Sequence, residues 1–141
     1  SGLYGLLKPL DAIEPYRLEM GIKLPIADKK DLHDFWKETV TAALNKGYKK
    51  GDVLVNLASN EYFKVIDKAK LKAPVIDFEF YELKEGKPKT VVVYTKHARG
   101  LVVRYCAENQ VKTLNEVKGF NLEGYLIDEK LSTKTKLVFT R

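Results

Sequence analysis

Cysteine, methionine and tryptophan each occur once in the 141 residues, and histidine twice. A single cysteine, Cys106, cannot close an internal disulfide. It stands in the apolar run LVVRYCA, where a thiol usually behaves as a small hydrophobe and not as a redox switch. His33 and His97 are far apart, and neither stands in a spacing such as H-E-x-x-H, so no metal site is expected. A hard iron site needs clustered carboxylates and histidines, and no spacing here supplies them. No stretch approaches the ~20 apolar residues that cross a bilayer. The opening SGLYGLLKPLD lacks the long apolar centre of a signal peptide, so a soluble, cytoplasmic chain without membrane contact is expected. Neither G-x-x-x-x-G-K-[ST] nor G-x-G-x-x-G occurs, no G-x-S-x-G surrounds a serine, and no cofactor is expected. Internal repeats and low-complexity linkers are also absent.

What is present is a core and a positive charge. Hydrophobic residues make up 45% and aromatics 11%, enough for a packed interior in a chain of one-domain size. Lysine and arginine number 25 against 19 acids, a formal charge of +6 that favours an anionic partner. The first residues, Ser-Gly with no initiator Met, already resemble the inside of a fold, which suggests a fragment.

Periodicity predicts an α+β fold: a short mixed sheet with β-hairpins, packed by about four helices. Leu3–Leu10 reads as a short helix or strand running into a turn at Pro9-Leu10-Asp11, and Tyr16–Gly21 as extended or loop. Leu32, Phe35, Trp36, Val40, Ala43 and Leu44 recur at helical spacing from an Asp31 N-cap to Lys46-Gly47. Asp52–Ala58 reads as a buried strand, and Ser59 as the N-cap of a helix reaching about Asp67. Pro74–Leu83 and Val91–Thr95 read as a hairpin joined by the polar Lys84–Lys89 connection. A helix is expected from about Ala98 to Val111, a short one after Thr113 ending near Gly119, and a closing hairpin of Gly124–Ile127 with Lys136–Thr140.

Lys84–Arg104 is the most basic stretch: six cations against Glu85 alone. Within it YTKHARG reads as strand passing into helix, so Lys96, His97 and Arg99 would gather where unpaired backbone N–H groups favour an anion. Arg99, Gly100, Val103, Arg104 and Ala107 fall off the apolar stripe. That leaves a small-residue strip between two arginines, suited to a phosphate backbone or to a packed neighbour with the arginines paired to acids. LASNEYF joins a strand end to a helix start, so Ser59 and Glu61 can be imagined as nucleophile and base; a capping serine and a carboxylate complementing the helix dipole is the stronger reading. No catalytic residue is assigned. The candidate anion or nucleic-acid contacts are Arg17, Lys96, His97, Arg99 and Arg104. A candidate small-ligand pocket comprises Tyr16, Arg17, Ser59, Glu61, Lys96 and Arg99.

The ordered motifs SGLYGLLKPLDAIEPYRLEMG, DFW, NLASNEYF, YTKHARGLVVRY, GFNLEGY and LVFTR resemble the YaaA peroxide-stress family along nearly the whole chain. The resemblance implies a cytoplasmic bacterial protein of the hydrogen-peroxide response, linked to lower free iron and to DNA protection. Intact members bind double-stranded and branched DNA through a positive cleft, and no enzymatic activity is firmly attached to them. The family's recurring polar positions fall on Tyr16, Arg17, Glu19, Asn56, Ser59, Glu61, Tyr62, Lys96, Arg99, Gly100, Arg104 and Tyr105. Two departures stand out. The family's N-terminal portion, with its helix-hairpin-helix element, is missing, and His97 replaces a lysine of the KKARG-like motif, weakening the fixed charge there near neutral pH.

Overall fold

A computed structural model describes residues 2–141; Ser1, the first residue of the SGLYG motif, lies outside them. The chain forms two compact units, Ser1–Asp52 with Ala58–Pro74, and Val53–Leu57 with Val75–Arg141. Each is described by itself.

The first unit is built on α1, Leu32–Gly47. Its start is fixed as expected: Asp31 caps it, the carboxylate accepting from the Asp34 N–H at 2.8 Å, and Asp34 adds negative charge to the first turn. Leu32 and Val40 are buried apolar positions, and Thr41 is a buried polar one. The Thr41 hydroxyl accepts from the Asp67 N–H. Asn45 donates to the Lys70 carbonyl and accepts from the Lys72 N–H. One face of α1 thus holds 67–72 in place through backbone groups that would otherwise lack partners.

Two expectations for this unit are corrected. Leu3–Leu10 forms neither helix nor strand, because Gly5 turns the chain at φ 67°. The turn at Pro9-Leu10-Asp11 does form, with Asp11 N–H donating to the Lys8 carbonyl at 3.2 Å. The helix after Ser59, α2, is only Asn60–Phe63. Beyond it the bonds tighten to three-residue turns, Val65 N–H to the Tyr62 carbonyl and Ile66 N–H to that of Phe63, where β-branched residues resist helix. Ser59 is the N-cap by backbone position, yet its hydroxyl makes no capping bond.

The second unit is a mixed sheet. Its strands are β1, Leu54–Asn56; β2, Val75–Lys84; β3, Lys87–Lys89; β4, Leu126–Ile127; and β5, Lys136–Thr140. The order is β1-β2-β5-β4, with β3 paired to β2 off that path. β1 and β5 run parallel to β2, while β4 is antiparallel to β5 and completes the expected closing hairpin. β1 is half-buried at the sheet edge and shorter than the buried strand the sequence suggests. Along β2 the alternation is regular: Ile76, Phe78 and Phe80 point into the core. There they meet Leu137 and Phe139 of β5 together with Phe120, Val117 and Tyr125. Phe80 stacks on Phe139, and Phe120 stands edge-on to both.

Helix α3, Val92–Glu108, covers this core with Ala98 and Val102. Cys106 packs half-buried at its rim, where burial pushes its thiol pKa up, in line with a packing role. The short α4, Leu114–Val117, has the full capping box expected after Thr113.

The hairpin after β2 exists, but its second arm is β3 and not Val91–Thr95. Glu85 and Gly86 at φ 52° and 74° make a two-residue turn inside what reads as a polar connection. Val92–Thr95 instead opens α3. Val92 and Val93 are 78% and 72% exposed, so no sheet neighbour is available to satisfy their β propensity.

Candidate functional site

The earlier start of α3 alters the geometry of YTKHARG. With Val91 as N-cap, the unpaired N–H groups belong to Val92–Tyr94. Lys96, His97 and Arg99 lie within the helix body, so the expected gathering at its positive end does not occur. They and Arg104 instead occupy exposed or half-buried positions along the helix.

The four cations differ in what holds them. Lys96 is exposed. Arg99 is half-buried, with its Nε out of solvent and unpartnered, one turn from the Thr95 hydroxyl, which is likewise buried without a partner. Among the described residues, no carboxylate pairs with Lys96 or Arg99. Arg104 meets Glu108 at 2.8 Å on its own helix, both side chains exposed; a pair of this kind contributes little and is readily exchanged. Between the arginines Gly100 faces open space, with nothing within 4 Å of where a Cβ would stand, and Val103 and Ala107 are exposed. The strip is therefore open and carries no packed neighbour at its centre.

His97 is engaged differently. Its Nε2 lies 2.8 Å from a Glu123 carboxylate oxygen, and the other oxygen is 3.3 Å from an Arg141 guanidinium nitrogen. This pairing leads to a network the sequence reading missed. Arg141 Nε donates to both Glu82 oxygens, at 2.8 and 3.0 Å, and the Tyr125 hydroxyl donates to the same carboxylate at 2.7 Å. The guanidinium also lies over the rings of Tyr94 and Tyr125. Burial together with the bond to Glu82 pushes the Tyr125 phenol well above its usual pKa. A signal for this network was present: Glu82 continues the inward parity of Ile76, Phe78 and Phe80, and a carboxylate on the core side of a strand needs a cation.

In the first unit, Arg17 is almost fully exposed and stands 3.9 Å from Glu19. Tyr16 packs edge-on to Tyr4. Glu61 is occupied structurally: its carboxylate accepts from the Met20 N–H at 3.0 Å, and its carbonyl lies 2.8 Å from His33 Nε2. Of the six candidate pocket residues, Tyr16, Arg17, Ser59 and Glu61 thus belong to the first unit, and Lys96 and Arg99 to the second. A surface hollow beside the start of α1 is lined by Lys30, His33, Lys37 and Lys64, with Asp31 and Asp34 interleaved. Its field is therefore mixed. Among the described residues, no three His, Cys, Asp or Glu side chains gather as a metal-ligand set, and no helix is long and apolar enough to cross a membrane.

With this arrangement described, comparison with known proteins places the chain. The family profile described as peroxide stress protein YaaA matches residues 1–131. The chain belongs to this family. It is 55% identical over all 141 residues to a UPF0246 protein of Flavobacterium johnsoniae, of which it covers 56%. Identity and coverage are the same for a relative from Flavobacterium psychrophilum, and a Marinomonas relative is 50% identical with 54% of its length covered. The chain thus spans about half the length of the curated relatives it matches.

Proposed function

We propose that this YaaA-family chain is a cytoplasmic DNA-binding module, without chemistry of its own, that contacts the phosphates of double-stranded or branched DNA. Its place in the peroxide response would be protective, limiting iron-dependent damage to the bound DNA. The observation that carries this reading is the state of the α3 cations. Lys96 and Arg99 have no carboxylate partner among the described residues. Arg104 is held only by an exposed residue of its own helix, and the strip between the two arginines is open. The net charge of +6 supplies the long-range attraction.

Phosphate contacts release counterions, so affinity for duplex must fall steeply with salt. Fluorescence anisotropy of a labelled duplex, titrated at several salt concentrations, is the test. Replacing Arg99 and Arg104 together with alanine is expected to weaken binding and to lower the slope of log K against log salt by roughly 2. Unchanged affinity and slope would remove α3 from the interface.

A further inference from the structure

The two strands β2 and β3 continue past the core as a ribbon in which residues 83–90 are all exposed. Register sets Glu82 opposite Lys89, Leu83 opposite Pro88 and Lys84 opposite Lys87. Directly opposed residues share a face, and the alternation carries Lys84 to the same face as Glu82. Lys84, Lys87 and Lys89 therefore project from one side of the ribbon, with Leu83 and Pro88 on the other.

The lysine side is the continuation of the core-facing side of β2, the side covered by α3. Glu82 does not neutralise it, because its carboxylate is turned to Arg141 and Tyr125. Among the described residues, none of the three lysines has an acidic partner. Like charges placed directly opposite each other destabilise a strand pair. Lys84 and Lys87 do this beside a tight turn, in the last rung, where no neighbouring strand compensates. Pro88 and its flanking lysines protect the β3 edge from strand addition.

We propose that the β2–β3 ribbon is a phosphate-binding arm that lays Lys84, Lys87 and Lys89 against the backbone of duplex DNA. This rests on the duplex-binding reading but names a second, separate contact element. Charge complementarity selects a polyanion. A two-stranded ribbon matches the width of a major groove, and lysines acting as point charges without Asn, Gln or Arg give positioning without base readout. Pro88 excludes a partner that would add a strand to the ribbon edge, and the single Leu83–Pro88 pair on the opposite side is too small an apolar surface to anchor in a membrane.

The test measures duplex affinity against salt for the chain, for a Lys84→Ala/Lys87→Ala/Lys89→Ala variant, for Lys87→Glu, and for Lys96→Ala/Arg99→Ala, alongside thermal midpoints and binding to phosphatidylserine vesicles. The triple variant is expected to lose roughly 2 to 3 from the salt slope with an undiminished thermal midpoint. Lys87→Glu, which sets opposite charges across the last rung, should raise the midpoint while also weakening duplex binding. If the triple variant binds duplex as the parent does while Lys96→Ala/Arg99→Ala weakens it, the arm is excluded and the α3 reading stands. The reverse pattern keeps the arm and removes α3, and a parent chain that binds no duplex ends both. Midpoints that fall together with affinity, or vesicle binding that alone depends on the lysines, would also overturn the arm.

Discussion

Glu82 and Arg141, 59 positions apart, meet at the core-side end of β2 with the guanidinium Nε within 3.0 Å of both carboxylate oxygens. Their side chains are only 16% and 23% exposed, so the pair is shielded from salt more than any surface pair in the chain. Replacing Glu82 with alanine leaves the guanidinium Nε and the Tyr125 hydroxyl without their acceptor, Arg141 keeping only its contacts to Glu123. The expected cost is about 3 kcal/mol, read as a lower urea midpoint. A change within experimental error would show that Arg141 finds other partners and that the network contributes little to stability.

A second prediction concerns acid. The hydrogen bond from His97, with Arg141 contributing, holds the Glu123 carboxyl below the ordinary glutamate value of 4.5. A folded-state pKa that is depressed contributes stability fully present above the unfolded value and lost as pH falls through the folded one. Glu116, held down by the Lys112 and Thr113 N–H groups, acts in the same direction. The thermal midpoint should therefore decline below 4.5, and Glu123→Gln should make that decline shallower. An identical acid limb in the variant would show that Glu123 carries none of the dependence.

Gly5 gives a third, in the other unit. At φ 67°, a Cβ there would stand 2.7 and 2.9 Å from two carbons of the Trp36 ring. Gly5→Ala therefore meets both a strained backbone and a rigid aromatic, and should destabilise by more than about 1 kcal/mol. Trp36 is the single tryptophan and its indole N–H donates to the Gly2 carbonyl, so its emission should shift red as the ring is displaced. Unaltered emission and stability would place the ring elsewhere.

Much of the fold was legible because some segments carry their own boundary chemistry. α1 has Asp31 and a helical stripe, and α4 has Thr113 with Glu116. The closing hairpin was legible in outline, and so was the first strand of the β2–β3 ribbon. The second was not, since Lys-Pro-Lys has no β pattern and owes its pairing to the Glu85-Gly86 turn. Val91–Thr95 misled for the opposite reason: its residue types favour strand, but what selects helix is the burial of Thr95, Ala98 and Val102 on one side. For the site, the basic stretch showed which cations to consider. It could not show that His97 is tied to Glu123 while Lys96 lacks a carboxylate, because that depends on a residue 26 positions away.

The parallel neighbours β1 and β2 are joined by a connection that leaves one compact unit at Leu57 and rejoins it at Val75. A parallel pair needs a long return path, and here that path is part of the other unit. A single cut after Pro74 keeps every residue of the first unit but takes β1 from the sheet, so no single cleavage or truncation point releases the sheet unit intact. Isolating the sheet for study calls for a replacement of Ala58–Pro74 by an unrelated bridge, or for β1 to be moved to the far end by circular permutation.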